Sequence, residues 1–126
     1  MTEYQKLPED TQIKKQYDLE DRTFRFTKNV FSFIDTTAKT LTNIEVCKQL
    51  ARSAGSVGAN YIEANESLSK KDFIMRIKIC RKESKESRYW LLLINCTEES
   101  AGMRDNLVQE STELMKIFGA ILEKSK

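Results

Sequence analysis

A chain of 126 residues, 32% of them charged, with one proline and four glycines, has the size and make-up of one helical domain able to bury a core without disulfide staples. A net charge of +2 gives no reason to expect nucleic-acid binding from composition, so any such case must rest on local patterning. With no histidine in the chain, Ser-His and Cys-His nucleophiles, histidine bases and the Glu-x-x-His motif of di-iron bundles are excluded.

Residues 1–17 hold Pro8 among charged and polar side chains and show no periodicity. They are expected to form a flexible N-terminal arm ahead of a domain spanning 18–126. The arm lacks the apolar stretch of a secretion signal, and no run approaches the length of a membrane span, which predicts a cytoplasmic protein with no membrane partner. Asp18 is placed to cap a first helix that ends near Thr40, with Leu19, Thr23, Phe26, Val30, Phe33 and Thr37 as its inward seam. Thr42-Asn-Ile-Glu45 has the form of a capping box and opens the second helix.

That second helix is the most ordered stretch. Cys47, Leu50, Ala54, Val57, Tyr61, Ala64 and Leu68 recur at intervals of three and four with no charge among them, as an inward seam does. Beside it runs a polar row, Gln49, Ser53, Ser56, Asn60, Glu63 and Ser67, and a row of small residues, Ala51, Gly55, Gly58 and Ala59. Three ordered faces predict a helix enclosed on several sides. Ser56, Asn60 and Glu63 with Arg52 are expected to form a satisfied buried polar network.

Ser69-Lys-Lys-Asp72 repeats the capping device and opens a third helix running from Lys70 to about Cys96. A fourth runs from about Ala101 to Glu123, capped by Thr97 or Ser100, with Leu107, Ser111, Leu114, Phe118 and Ile121 inward. Four helices with short connections and no strand-like alternation predict an all-α, antiparallel, up-down-up-down four-helix bundle.

At about 100° per residue, the third helix divides into three sectors. Phe73, Ile77, Cys80, Ser84, Ser87, Leu91 and Ile94 form the core sector. Lys71, Lys78, Arg81, Lys82, Lys85 and Arg88 lie roughly 110° away, with Lys70 at the margin. On the other side stand Met75, Ile79, Trp90 and Leu93 together with Glu83 and Glu86. A bundle helix needs one apolar stripe; a second one predicts an interface with another copy of the chain. Carboxylates inside it need partners, for which Arg52, Lys48 and Arg76 are candidates.

Residues 70–88 hold eight basic residues against three acidic ones, a local balance of +5, which leaves −3 for the rest. Cations on one helical face displace counterions from a phosphate backbone and give affinity without sequence readout. A solvated lysine-rich face is the bland reading of the same pattern. No aromatic residue interleaves with these cations, so base stacking is not expected.

Enzyme chemistry finds little footing, and no cofactor or metal is expected. Glu83-x-x-Glu86 with Glu63 resembles a carboxylate metal site only by spacing, and ion pairing explains it better. Gly55-Ser-Val-Gly58 matches the bare G-x-x-G loop of one RNA-binding module but sits mid-helix, where close packing accounts for it. Cys47, Cys80 and Cys96 are odd in number and form no CxxC pair, as expected of free thiols in a reducing compartment.

Asp18-Leu-Glu-Asp-Arg-Thr23, Gln49-Leu-Ala-Arg-Ser53, Ser56-Val-Gly-Ala-Asn60, Glu63-Ala64, Ser69-Lys-Lys-Asp-Phe73, Lys82-Glu83, Glu86 and Tyr89-Trp-Leu91, in this order, resemble one family. It is the bacterial four-helix-bundle proteins related to those encoded in 23S ribosomal RNA intervening sequences. The resemblance spans about residues 18 to 123. It implies a homopentameric ring of antiparallel bundles, with RNA binding an inference about that family. More distantly similar is the accessory variability protein of diversity-generating retroelements, a basic pentamer that binds nucleic acid. The near-neutral charge of this chain departs from such a basic member. Two readings follow: a non-enzymatic oligomer binding RNA or other nucleic acid through the third helix, or a scaffold presenting surfaces to a protein partner.

Overall fold

The computed structural model describes residues 11–126, with side chains from Leu19 onward. Four helices fill it: α1 (Thr11–Ile34), α2 (Leu41–Asn65), α3 (Lys70–Leu93) and α4 (Glu98–Lys124), with no strand among the described residues. They form a four-helix bundle in which α3 packs extensively on α2 and α4, while α1 leans on α2 and meets α4 sparsely.

The periodic seams predict the core well. Leu19, Thr23, Phe26, Val30 and Phe33 of α1 are buried, as are Leu50, Ala54, Val57, Tyr61 and Ala64 of α2 and Leu107, Ser111, Leu114 and Phe118 of α4. Four of the expected inward positions differ. Cys47, Phe73 and Ile121 are only half-buried, and Leu68 is 99% exposed because α2 stops at Asn65 and the seam loses its helix.

Helix ends are where the expectations shift most. α1 begins at Thr11, before the expected start, so Asp18 lies within the helix and does not open it; residues 1–10 of the expected arm lie outside the described residues. At its other end α1 stops at Ile34, short of Thr40, because the Thr36 and Thr37 hydroxyls donate to the Phe33 and Ile34 carbonyls at 2.7 and 2.8 Å. Such local bonds compete with the helical ladder. Thr37 keeps its seam role from this turn, buried against α2 with its hydroxyl 3.5 Å from Cys47 Sγ. The cap of α2 is Thr40, not Thr42: its side chain accepts from Asn43 N at 3.2 Å. Ser69 caps α3 as expected, accepting from Asp72 N at 3.1 Å. α3 ends at Leu93, where Ile94 turns to extended backbone, and Thr97 caps α4 by accepting from Ser100 N at 3.3 Å. Glu98 and Glu99 then place negative charge at the positive end of that helix.

The two connections at this end are tied together by Asn43, which sequence patterning does not single out. Its buried amide donates to the Ala38 and Asn95 carbonyls, each at 3.0 Å, and accepts from Asn95 N at 3.1 Å. Ser100 adds a link to Thr36 at 3.0 Å. Asn43→Ala should lower stability by about 2 kcal/mol, since these groups lose their partners at a half-wet site. Urea denaturation at fixed protein concentration measures it; a loss below about 0.5 kcal/mol would show that water replaces the amide without penalty.

Candidate nucleic-acid interface

Small and hydroxylated side chains fix the inner edge of α3. Ser53 and Ser87 hydroxyls meet at 2.9 Å, Ser87 donates to the Glu83 carbonyl and Ser84 to the Cys80 carbonyl, each at 2.9 Å. Cys80 Sγ lies 3.4 Å from the Val57 carbonyl. Every one of these polar groups is satisfied locally, so two helices approach closely without stranding a hydroxyl. Burial pushes the Cys80 thiol up from 9.0 to about 12, which leaves it protonated and inert as a nucleophile at neutral pH. Cys47 and Cys96 are half-buried and also free.

With its inner edge clamped, α3 turns its cations outward. Lys71, Lys78, Arg81, Lys82, Lys85 and Arg88 are all exposed. Lys71, Lys78 and Lys85 repeat every seven residues, a step of about 10 Å along the axis. Two arginines are steadied by α4. Arg81 lies over Gly119, where an added Cβ would sit 3.9 Å from its Nε, and Arg88 Nε donates to Thr112 Oγ1 at 3.1 Å. Charge compensation is sparse: Lys82 Nζ is 3.8 Å from Glu86 Oε2, and no carboxylate lies within 4.0 Å of the other five among the described residues.

The apolar flank of α3 faces the α2 side. Met75 and Leu93 are 46% and 49% exposed, while Ile79, Glu86 and Trp90 are half-buried and Glu83 is buried. Trp90 packs against the core of its own chain, so most of the stripe's open apolar area belongs to Met75 and Leu93 and less to Trp90 than the wheel predicts. Of the candidate ion partners, Arg52 takes the role, 3.7 Å from Glu83 Oε2 and 3.4 Å from Glu86 Oε1. Lys48 pairs with Glu45 instead, and Arg76 donates to Asn60 Oδ1 at 2.9 Å. Glu83 Oε1 and Trp90 Nε1 are buried without a hydrogen-bond partner.

The expected buried network of Arg52, Ser56, Asn60 and Glu63 is corrected by this geometry. Asn60 does bond Ser56, through its carbonyl and hydroxyl at 2.9 and 3.0 Å, and Arg76 completes the cluster. Arg52 is exposed and drawn to the α3 carboxylates, and Glu63 faces solvent. Neither is part of it. The small row is also less enclosed than expected. Gly58 closes on α1, where an added Cβ would come within 3.1 Å of Thr23 Oγ1, but Gly55 has nothing within 4 Å and Ala59 is exposed.

Sequence reasoning misses a second apolar face. Thr27 donates to the Ala54 carbonyl at 2.9 Å, and Phe24 and Phe31 flank it on the same shoulder of α1, 62% and 46% exposed. Ile44 and Ile62 of α2 are exposed too. The seven-residue step from Phe24 to Phe31 is the signal that an α1 wheel would have caught. Elsewhere, a groove of about 300 Å³ opens between α1 and α4 where these helices meet sparsely. Its charges are already engaged: Arg22 binds Glu110 through two nitrogens at 2.6 and 2.9 Å, and Arg25 pairs with Asp21.

Comparison with known proteins bears on the whole bundle. The family model described as 23S rRNA-intervening sequence protein matches residues 15–120. A crystal structure of a protein of unknown function from the S23 ribosomal protein family of Bacteroides thetaiotaomicron is similar, with 29% identity and a TM-score of 0.71. The match covers 82% of this chain and 96% of that one. No curated protein matches the chain. No helix among the described residues is long and apolar enough to cross a membrane.

Proposed function

The chain belongs to the 23S rRNA-intervening sequence protein family, and on that footing we propose that it is a non-enzymatic, cytoplasmic, homo-oligomeric bundle that holds structured RNA on the outer face of α3. The carrying observation is the row of exposed cations, five of the six without a carboxylate near them. Uncompensated cations at regular spacing suit a phosphate backbone, whose contacts give affinity without sequence readout.

An antiparallel up-down-up-down path is supported by contacts at the helix ends. Asn65, the last residue of α2, donates to Glu20 Oε2 of α1 at 2.8 Å, and Asn43 near the start of α2 bonds Asn95 beyond the end of α3. Assembly is supported by two unlike apolar faces, Met75 with Leu93 on one flank and Phe24 with Phe31 on another. A two-fold dimer buries one patch against itself. Two unlike patches suit head-to-tail contacts, which close into a ring of the kind the family resemblance implies.

Two measurements test the proposal. The double variant M75K/L93K should run at the mass of one chain in light scattering with helical circular dichroism intact. An unchanged oligomer would remove this flank from the interface. Filter retention of a structured RNA at about 50 mM salt should show binding by the native protein. Negligible retention there would leave the other reading, a scaffold for a protein partner whose basic face is merely solvated.

A further inference from the structure

The cationic row ends in an aromatic ring that the spacing of the lysines alone conceals. At about 100° per residue, Tyr89 falls between Lys78 and Lys82 around α3 and shares the azimuth of Lys71, five turns away. It lies one turn beyond Lys85. The side chain is 57% exposed, although its neighbours Trp90 and Leu91 turn inward. Its hydroxyl makes no hydrogen bond among the described residues. Its ring is held all the same: Tyr89 and Trp90 meet edge to face, centroids 5.0 Å apart at 70°, and Trp90 is anchored against the core. An exposed aromatic ring fixed by a half-buried one, in line with cations of which only Lys82 meets a carboxylate, is a ready stacking platform.

Building on the RNA reading above, we infer that Tyr89 stacks on an unpaired base while Lys78, Lys82 and Lys85 hold the adjoining phosphates, so the preferred ligand is RNA with single-stranded nucleotides. A tyrosine ring has nothing to stack on along an A-form duplex, whose bases are already paired and stacked, whereas a loop or bulge presents open base faces. Stacking accepts any base, so this preference is for strandedness and not for sequence. The step from Lys78 to Lys85 spans about 10 Å, roughly the reach of one to two extended nucleotides.

The test compares two fluorescently labelled probes at about 50 mM salt with the full chain: a 12-nucleotide oligouridine and a 12-base-pair RNA duplex. The native protein should prefer the single strand. Tyr89→Ala should weaken oligouridine binding between about fivefold and a hundredfold, the range for one lost base–aromatic stack, and change duplex binding less than about twofold. Tyr89→Phe should bind as the native protein does. The proposal is overturned if Tyr89→Ala leaves oligouridine binding unchanged or weakens both probes equally. It is also overturned if that variant changes the oligomer's mass in light scattering, which would make Tyr89 an intersubunit contact. If K78Q/R81Q/K85Q weakens both probes while Tyr89→Ala weakens neither, the cationic face stands and only the stacking fails. Binding of neither probe by the native protein would sink both.

Discussion

Phe118→Ala is expected to lower the unfolding free energy by about 4 kcal/mol, measured by urea denaturation at a fixed protein concentration. Phe118 of α4 is fully buried, and its ring meets that of Tyr61 of α2 at a centroid distance of 6.0 Å and an angle of 51°. α2 and α4 are not adjacent in the bundle; each touches α3 on one side, so the two rings meet across its middle. Removing one therefore empties the centre, where collapse of a single helix cannot fill the void. The surrounding contacts resist that collapse as well. Ser53 and Ser87 hold α2 to α3, and Arg88 with Thr112 holds α3 to α4. Phe118→Leu keeps most of the volume and should lose about 1.5 kcal/mol or less. An alanine variant within about 1 kcal/mol of the native protein would mean that the bundle closes around the gap and that its packing is not rigid.

K78Q/R81Q/K85Q should bind RNA about a hundredfold or more weakly at about 50 mM salt, with its circular dichroism and oligomeric mass unchanged. Glutamine keeps the stem and a polar head and removes only the charge. None of the three replaced side chains holds a carboxylate or fills the core, and Arg81 merely lies over Gly119, so folding has little to lose. Each lost cation leaves a phosphate with its condensed counterion, and the three effects compound because the contacts are made together. A parallel variant at Lys28, Lys39 and Lys48, exposed on α1, the following turn and α2, should bind nearly as the native protein does. Equal losses in both would indicate general attraction to a polyanion and no defined face.

How much of this was written in the sequence depends on the range of the interaction. Core seams follow from a period of 3.6 residues, so Val30, Leu50, Ile77 and Leu114 were legible as buried, and so was the outward turn of the α3 cations. Helix ends were less so, because neighbouring hydroxyls compete for the same backbone groups. Thr36, Thr37, Thr40 and Thr42 all carry the chemistry of a terminator or cap; Thr36 and Thr37 end α1 and Thr40 caps α2, a division that their spacing alone does not settle. Glu83 and Glu86 were legible as needing a cation, and Arg52 was among the candidates. That choice left the polar cluster on α2 to recruit Arg76, a partner set by α3's register and invisible in α2's own spacing. The exposed Phe24 and Phe31 are hard to read because they sit beside the buried seam of the same helix, and Tyr89 because it adjoins residues that point inward.

The slope of log affinity against log salt concentration, compared between the native chain and K78Q/R81Q/K85Q on one structured RNA, tests the central claim most directly. Phosphate contact through α3 predicts a steep native slope that flattens by about 2 to 3 units in the variant, one increment for each cation removed. Parallel slopes, or a native protein that never binds, would place the RNA elsewhere or nowhere and contradict the account.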